Sequence, residues 1–421
     1  MEKIIIDGGV PLHGRVKVDG MKNAAVGVIF ASIVTGGVCV IKNLPKINDV
    51  NVSLDILSSV GAHICRIDES TVEIDTEDVK YTAVPQELTG KLRASYYLAG
   101  AMLARFKRAD IGLPGGCDLG KRPVDQHIKA FRSLGAIAQS DGEHIEAYAP
   151  EGLSGSEIYF DCVTVGGTMN AMIAAVGADG VTVINNAARE PHIVDLANFL
   201  NTCGARISGA GTDVIKVRGG NLHGCEYDII PDMLEAGTYM AAAAATHGSV
   251  YVDGIIPRHI ESIAAKLSEM GVEVETFDDG VLVSAPKPLV NANVKTMPYP
   301  GFPTDMQPIM AVLMCLSGGF GVINETIYDN RFRYVEELRR MGANINVEGR
   351  RAEIIGTGKL LPASVRAVDL RAGAAMIVAA LAAEGKTEID DIYHIERGYS
   401  DVIGKLRGLG ASIKKIDYGD L

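Results

Sequence analysis

Tryptophan is absent from this chain of 421 residues, and aromatics total only 5%, so any core it buries is aliphatic and rich in Ala and Gly. Hydrophobic residues nonetheless reach 47%, enough for large cores, and the length suits two or three domains. An excess of basic residues is also missing. The formal net charge of -12 disfavours nucleic-acid binding as the main activity, including a clamp-like binder built from repeats. The longest apolar runs, such as 24–34, are too short to cross a bilayer. The opening Met1-Glu2-Lys3-Ile4 has no signal-peptide pattern, so a cytoplasmic protein with no membrane partner is expected. Seven cysteines (Cys39, Cys65, Cys117, Cys162, Cys203, Cys225, Cys315) are scattered and never spaced as CxxC, which argues against a disulfide framework or structural zinc. Apart from Cys117 they lie in apolar or strand-like contexts and are expected to be packing residues. No GxGxxG or Walker loop follows a strand, and no metal or cofactor is expected.

What the chain does have is internal repetition. An amphipathic segment ends at a glycine and runs into a strand at Val60-Gly61-Ala62, Leu134-Gly135-Ala136, Cys203-Gly204-Ala205, Met270-Gly271-Val272, Met341-Gly342-Ala343 and Leu409-Gly410-Ala411, roughly 70 residues apart each time. Glycine accepts the left-handed conformation that ends a helix. Before each lies a second helix, apolar on all sides and therefore buried: 24–33, 94–104, 168–176, 236–246, 305–316 and 372–383. A turn and a short strand follow each. The repeats predict an α/β protein of six βαβαββ-type units, three per domain. Three units surround one bundle of buried helices, with sheets and amphipathic helices outside. The sixth unit stops short of its full strand set, and the strands at 3–6 and 15–18 are available to complete it. The expected domains are therefore 1–20 with 231–421, and 21–230.

Polar residues interrupt this pattern where buried helices begin or strands end. Lys22-Asn23, Arg93, Thr164-Val165-Gly166, Glu235, Thr304-Asp305 and Asp369-Leu370-Arg371 open the six helices, and loops carry Arg122, Arg189, Arg331 and Arg397. Helix N-termini favour phosphates and carboxylates. If both bundles point their N-termini at one cleft, it gathers Lys22, Arg93, Arg122, Arg331, Arg371 and Arg397, a pocket for a small multiply charged anion. A lone loop arginine is ordinarily solvated or paired, and Asp305 and Asp369 have an ordinary role as helix caps or first-turn acids. Recurrence at equivalent repeat positions favours the functional reading. His127 and His394 are expected to be structural.

One loop, Leu113-Pro114-Gly115-Gly116-Cys117-Asp118-Leu119-Gly120-Lys121-Arg122-Pro123, holds three glycines and two prolines. Lys121 and Arg122 follow its cysteine closely. Neighbouring cations favour the thiolate, and such a thiol can give or take a proton near neutral pH.

Taken together, Asp19-Gly20-Met21-Lys22-Asn23-Ala24-Ala25, Leu92-Arg93-Ala94-Ser95, Leu113 to Cys117, Arg122-Pro123-Val124-Asp125-Gln126-His127, Gly301-Phe302-Pro303-Thr304-Asp305, Asn330-Arg331-Phe332, Asp369-Leu370-Arg371-Ala372 and Glu396-Arg397-Gly398-Tyr399 resemble the UDP-N-acetylglucosamine 1-carboxyvinyltransferases, of the enolpyruvyl transferase family. The resemblance spans the whole chain. It implies a two-domain inside-out α/β barrel and transfer of the enolpyruvyl group of phosphoenolpyruvate to the 3-hydroxyl of UDP-N-acetylglucosamine, with release of phosphate through a tetrahedral ketal. That reaction is the first committed step of peptidoglycan synthesis. It further implies that Lys22, Arg122 and Arg397 hold the phosphate, with Asn23 beside them, and that Arg331 and Arg371 serve the carboxylate. Cys117 is implied as general acid and site of a covalent adduct, and Asp305 as the base for the sugar hydroxyl. Lys22 and Arg397 join those two as the catalytic set. Arg93, Arg122, Pro123, Val124, Asp125, Gln126, Thr164, Val165, Gly166, Asp305 and Ile327 match positions that bind the nucleotide sugar. Pro114 to Arg122 is expected to be a mobile lid that closes on that substrate.

Some members carry a lysine near the nucleotide phosphates where this chain has Cys162, so nucleotide affinity or its salt dependence is expected to differ. The Lys-Ser motif of the related 5-enolpyruvylshikimate-3-phosphate synthases is not found; Lys22-Asn23 stands in its place. The alternatives are an enolpyruvyl transferase with another acceptor and an inactive sugar-nucleotide-binding paralogue. A monomer is expected.

Overall fold

The computed structural model describes residues 2–82, 84–112 and 123–417. Backbone contacts divide them into two compact units. A C-terminal unit comprises 2–19 and 231–417, and an N-terminal unit comprises 20–112 and 123–230.

In the C-terminal unit, helices Met233–Ala245, Gln307–Leu316 and Leu370–Ala382 pack on one another with nearly every residue buried. Their Ala-rich sequences offer no polar face, so the interior is the only place they can go. The N-terminal unit buries Lys22–Ala31, Tyr97–Phe106 and Val165–Ala175 in the same way. Small residues set how closely these helices approach. A Cβ on Gly100 would lie 2.5 Å from Asn170 Oδ1, and the Gly100 N–H donates to that oxygen at 2.9 Å. Among the described residues no helix is long and apolar enough to cross a membrane.

The amphipathic helices end as their glycines predict. Gly61, Gly135, Gly204, Gly271, Gly342 and Gly410 all have φ between 85° and 103°. In every case the next residue's N–H reaches back five residues, as Ala62 does to the Leu57 carbonyl and Ala411 to that of Leu406. This 6→1 bond satisfies a carbonyl that the helix end would otherwise orphan, and it turns the chain into the following strand.

Five of the six principal sheets have four described strands, and that of the second repeat has three. Within a repeat, the strand after the buried helix pairs antiparallel with a later hairpin strand and parallel with the strand before the helix. Glu157–Tyr159 and Val181–Asn185, on either side of Val165–Ala175, show this. The two chain crossings exchange these leading strands. His13–Lys17 precedes helix Lys22–Ala31 yet pairs parallel with Ser249–Asp253. Glu226–Asp228 precedes helix Met233–Ala245 yet pairs parallel with Val38–Lys42.

This corrects the expectation that both N-terminal strands complete the sixth repeat. Glu2–Gly8 does lie between Gly385–Asp390 and Ser412–Asp417. The parallel edge of Gly385–Asp390 is already filled by Ser364–Arg366, so His13–Lys17 takes the open edge in the fourth repeat instead.

The crossings fall after Asp19 and after Ile230. A buried charge cluster anchors the first of them. Lys405 Nζ binds Asp19 at 2.8 Å and Glu235 at 2.6 Å, and Glu235 also accepts the Asp19 N–H at 2.8 Å.

Candidate active site

In the C-terminal unit two of the sequence-predicted arginines, Arg331 and Arg371, meet at one carboxylate, that of Asp305. Pro303 is extended and leads into the short turn Thr304–Met306, which carries Asp305 at the start of the buried helix Gln307–Leu316. Arg331 opens the turn Arg331–Tyr334. Arg371 is the second residue of helix Leu370–Ala382, whose cap, Asp369, accepts the N–H groups of Arg371 and Ala372 at 2.8 Å each. Capping fixes the backbone from which the guanidinium projects.

Arg331 Nη2 lies 2.9 Å from Asp305 Oδ1, and Arg371 Nε lies 3.2 Å from Oδ2. The two arginine side chains are only 3% and 6% exposed, whereas Asp305 is 29% exposed. The cations are thus buried behind a carboxylate that solvent reaches. Arg371 also donates to the Tyr399 hydroxyl at 3.3 Å, which lies 2.8 Å from Thr238 Oγ1. Burial opposes the charge on Arg371, but Asp305 and Tyr399 more than offset it and raise its pKa. Arg397 caps the short helix Tyr393–Glu396 and is half-buried. Burial, followed by the Arg397 charge, holds His394 below the usual imidazole range, as suits a structural histidine.

Glu325 was not singled out by sequence reasoning. It is 2% exposed. Its Oε2 accepts the Thr304 hydroxyl at 2.9 Å, and its Oε1 accepts the N–H groups of Ile327 at 2.8 Å and Tyr328 at 3.1 Å. One buried carboxylate therefore ties the turn that carries Asp305 to the loop that carries Ile327. A glutamate in a strand-to-loop sequence gives no local sign of such a role.

In the N-terminal unit Lys22 begins helix Lys22–Ala31, and its Nζ lies 2.6 Å from Asp49 Oδ2, with side-chain exposures of 15% and 5%. Asp49, also missed, sits in the first turn of Asn48–Ser59. Asn23 is half-buried beside Lys22. The turn Arg93–Tyr96 packs against the helix that Lys22 opens.

The other predicted residues of this unit gather around His127. Pro123 and Val124 lead into helix Asp125–Ser133, and Gln126 clasps Asp161. Thr164 caps Val165–Ala175 through the Gly167 N–H at 3.2 Å. A Cβ on Gly166 would stand 3.0 Å from the His127 ring, a tight approach that glycine makes without displacing the imidazole. Asn170 Nδ2 lies 2.8 Å from His127 Nδ1, and burial pushes the imidazole down to about 4, with Asp125 and Arg93 acting on it in opposite senses. His127 is accordingly neutral near pH 7. Cys162 is exposed beside Asp161; partial burial and the charges of Asp125 and Asp161 push its thiol up. Neither it nor Cys65 is the packing residue expected. Cys65 faces outward from the edge strand His63–Arg66, and Cys162 lies in the loop before a helix. Cys117, Arg122 and the expected lid lie outside the described residues.

The family model for EPSP synthase (3-phosphoshikimate 1-carboxyvinyltransferase) matches residues 6–406. A relative from Caldanaerobacter subterraneus subsp. tengcongensis named UDP-N-acetylglucosamine 1-carboxyvinyltransferase 3 is 54% identical over 417 residues, covering 99% of this chain and all of its own. The Clostridium botulinum UDP-N-acetylglucosamine 1-carboxyvinyltransferase is 50% identical over 418 residues, with the same coverage. Among solved structures, the enolpyruvyl transferase NikO from Streptomyces tendae aligns with a TM-score of 0.87 at 25% identity over 99% of both chains. EPSP synthase from Acinetobacter baumannii aligns with a TM-score of 0.73 at 18% identity over 99% of this chain and all of its own, a likeness of fold.

Proposed function

The chain belongs to the EPSP synthase family of enolpyruvyl transferases, and from that premise we propose how its residues perform the reaction of its full-length relatives. It is an enzyme that transfers the enolpyruvyl group of phosphoenolpyruvate to the 3-hydroxyl of UDP-N-acetylglucosamine in peptidoglycan synthesis, releasing phosphate.

The observation that carries the mechanism is the Asp305 carboxylate held between two buried guanidiniums. Its oxygens are engaged by Arg331 and Arg371. The carboxylate of phosphoenolpyruvate offers those guanidiniums a chemically equivalent partner. On binding it takes over their bonds and leaves Asp305 to accept the proton of the sugar hydroxyl. Lys22, Arg122 and Arg397 hold the phosphate, with Asn23 beside them. Cys117 donates a proton to the methylene carbon, which makes the adjacent carbon electrophilic; the same thiol can instead add to that carbon and form a covalent adduct. The sugar oxygen attacks it as Asp305 takes the proton, and a tetrahedral ketal results. Loss of phosphate and of a proton from the methyl group re-forms the double bond. The nucleotide sugar is bound by Arg93, Arg122, the 123–126 segment, the helix start at Thr164, Val165 and Gly166, and Ile327. The working unit is a monomer, which sedimentation would test, and its substrates place it in the cytoplasm.

Phosphate release that requires both phosphoenolpyruvate and UDP-N-acetylglucosamine is the deciding assay. Release with shikimate 3-phosphate instead would indicate another acceptor, and the absence of release with either acceptor would indicate an inactive binding paralogue.

Lys22→Gln removes a charge-assisted contact to phosphate, of about 1.5–3 kcal/mol. kcat/KM for phosphoenolpyruvate should fall roughly 10- to 100-fold. An unchanged value would remove Lys22 from the phosphate site. Glu325→Ala strips three donors of their acceptor and should raise KM for the nucleotide sugar while lowering kcat, roughly tenfold in kcat/KM. Glu325→Gln keeps an acceptor for the two backbone N–H groups and should restore most of the KM. Equal defects in the two variants would refute this positioning role.

A further inference from the structure

Three cysteines far apart in sequence meet in the N-terminal unit. The Sγ atoms of Cys39, Cys203 and Cys225 all lie within 4.8 Å of one another, and those of Cys203 and Cys225 are 3.3 Å apart, in contact but not bonded. Among the described residues this is the only group of three or more His, Cys, Asp or Glu placed to hold a metal ion. From their spacing, these cysteines read as separate packing residues. They are joined by the strand exchange at the second chain crossing. Cys39 lies on strand Val38–Lys42, and Cys225 immediately precedes Glu226–Asp228, its parallel partner. The Val40 N–H donates to the Cys225 carbonyl at 2.8 Å. Cys203 caps helix Pro191–Thr202; its N–H donates to Phe199 at 3.0 Å and its carbonyl accepts from His223 at 2.9 Å. The backbone thus brings the three cysteines together before any ion arrives.

We propose that Cys39, Cys203 and Cys225 form a site for a thiophilic d10 metal ion, Zn²⁺ or Cu⁺. Three thiolates are soft ligands that select such ions. With metal–sulfur bonds of about 2.3 Å, the sulfurs need to stand about 3.8–4.0 Å apart, a shift of less than about an ångström from where they are. Cys39 and Cys203 are buried and Cys225 is partly exposed, so an ion would enter from the Cys225 side. Binding replaces the three S–H protons with three metal–sulfur bonds, and the protons leave to solvent.

The test is titration of the reduced, chelator-treated full chain with Cd²⁺ as spectroscopic probe and Zn²⁺ as competitor. One equivalent of Cd²⁺ should give a thiolate-to-metal absorption that Zn²⁺ removes. Cys39→Ser, Cys203→Ser and Cys225→Ser should each weaken it roughly tenfold or more. Cys65→Ser with Cys162→Ser should leave it intact. If the absorption persists in all three single variants, or disappears only with Cys65 and Cys162, the proposal is wrong. In case a variant fails to fold, alkylation of the wild type followed by peptide mass mapping gives a second reading. Zn²⁺ should slow modification of Cys225 but not that of exposed Cys65. Equal rates would overturn it.

Discussion

Asp305→Ala should lower kcat by about 10²- to 10⁴-fold, the usual contribution of a general base, while KM for UDP-N-acetylglucosamine changes much less. The carboxylate is the partner of two guanidiniums that are 3% and 6% exposed. Removing it also leaves two like charges buried side by side, which costs about 3–5 kcal/mol when a buried pair loses one partner. Thermal unfolding must therefore be measured beside kinetics, and a lowered Tm is expected. Phosphoenolpyruvate, whose carboxylate would replace the lost partner, should recover more of that Tm in Asp305→Ala than it adds to the wild type. Asp305→Asn keeps the shape but not the basicity, so it should retain more stability and regain little turnover. A variant that loses only substrate affinity, with kcat intact, would remove Asp305 as the base.

Cys117→Ala should abolish turnover or reduce it by about 10²- to 10⁴-fold, because without the thiol the methylene carbon has no positioned proton donor. It should also eliminate labelling by a phosphonate epoxide such as fosfomycin, which needs a reactive thiolate. This expectation rests on sequence: a cysteine between paired glycines and Lys121-Arg122, where cations favour ionisation. Persistent labelling in Cys117→Ala would point to another thiol, with exposed Cys162 the first to check.

Much of this was legible in the sequence because it is local. The cap glycines are visible since a positive φ after an amphipathic run is a property of a few consecutive residues, as at Gly61 or Gly342. The buried helices are visible because they lack a polar face. The residue types of the site follow from the charge of phosphoenolpyruvate. Less legible were the partners. Lys22 and Arg371 stand out in the sequence, whereas Asp49 and Glu325, which hold a cation and a loop in place, do not. A buried acid in a first turn looks like any exposed first-turn acid until the tertiary environment is known.

By itself, then, the amino-acid order determined the six-unit plan, the ends of its helices and the chemistry available at their starts, since each depends on neighbours along the chain. Tertiary structure alone decided which strand fills which parallel edge, that Arg371 and Asp305 meet across 66 residues, and that the sulfurs of Cys39, Cys203 and Cys225 come together in the N-terminal unit. Those outcomes depend on which edges remain open once the helices have packed, a competition among distant segments that no local pattern records.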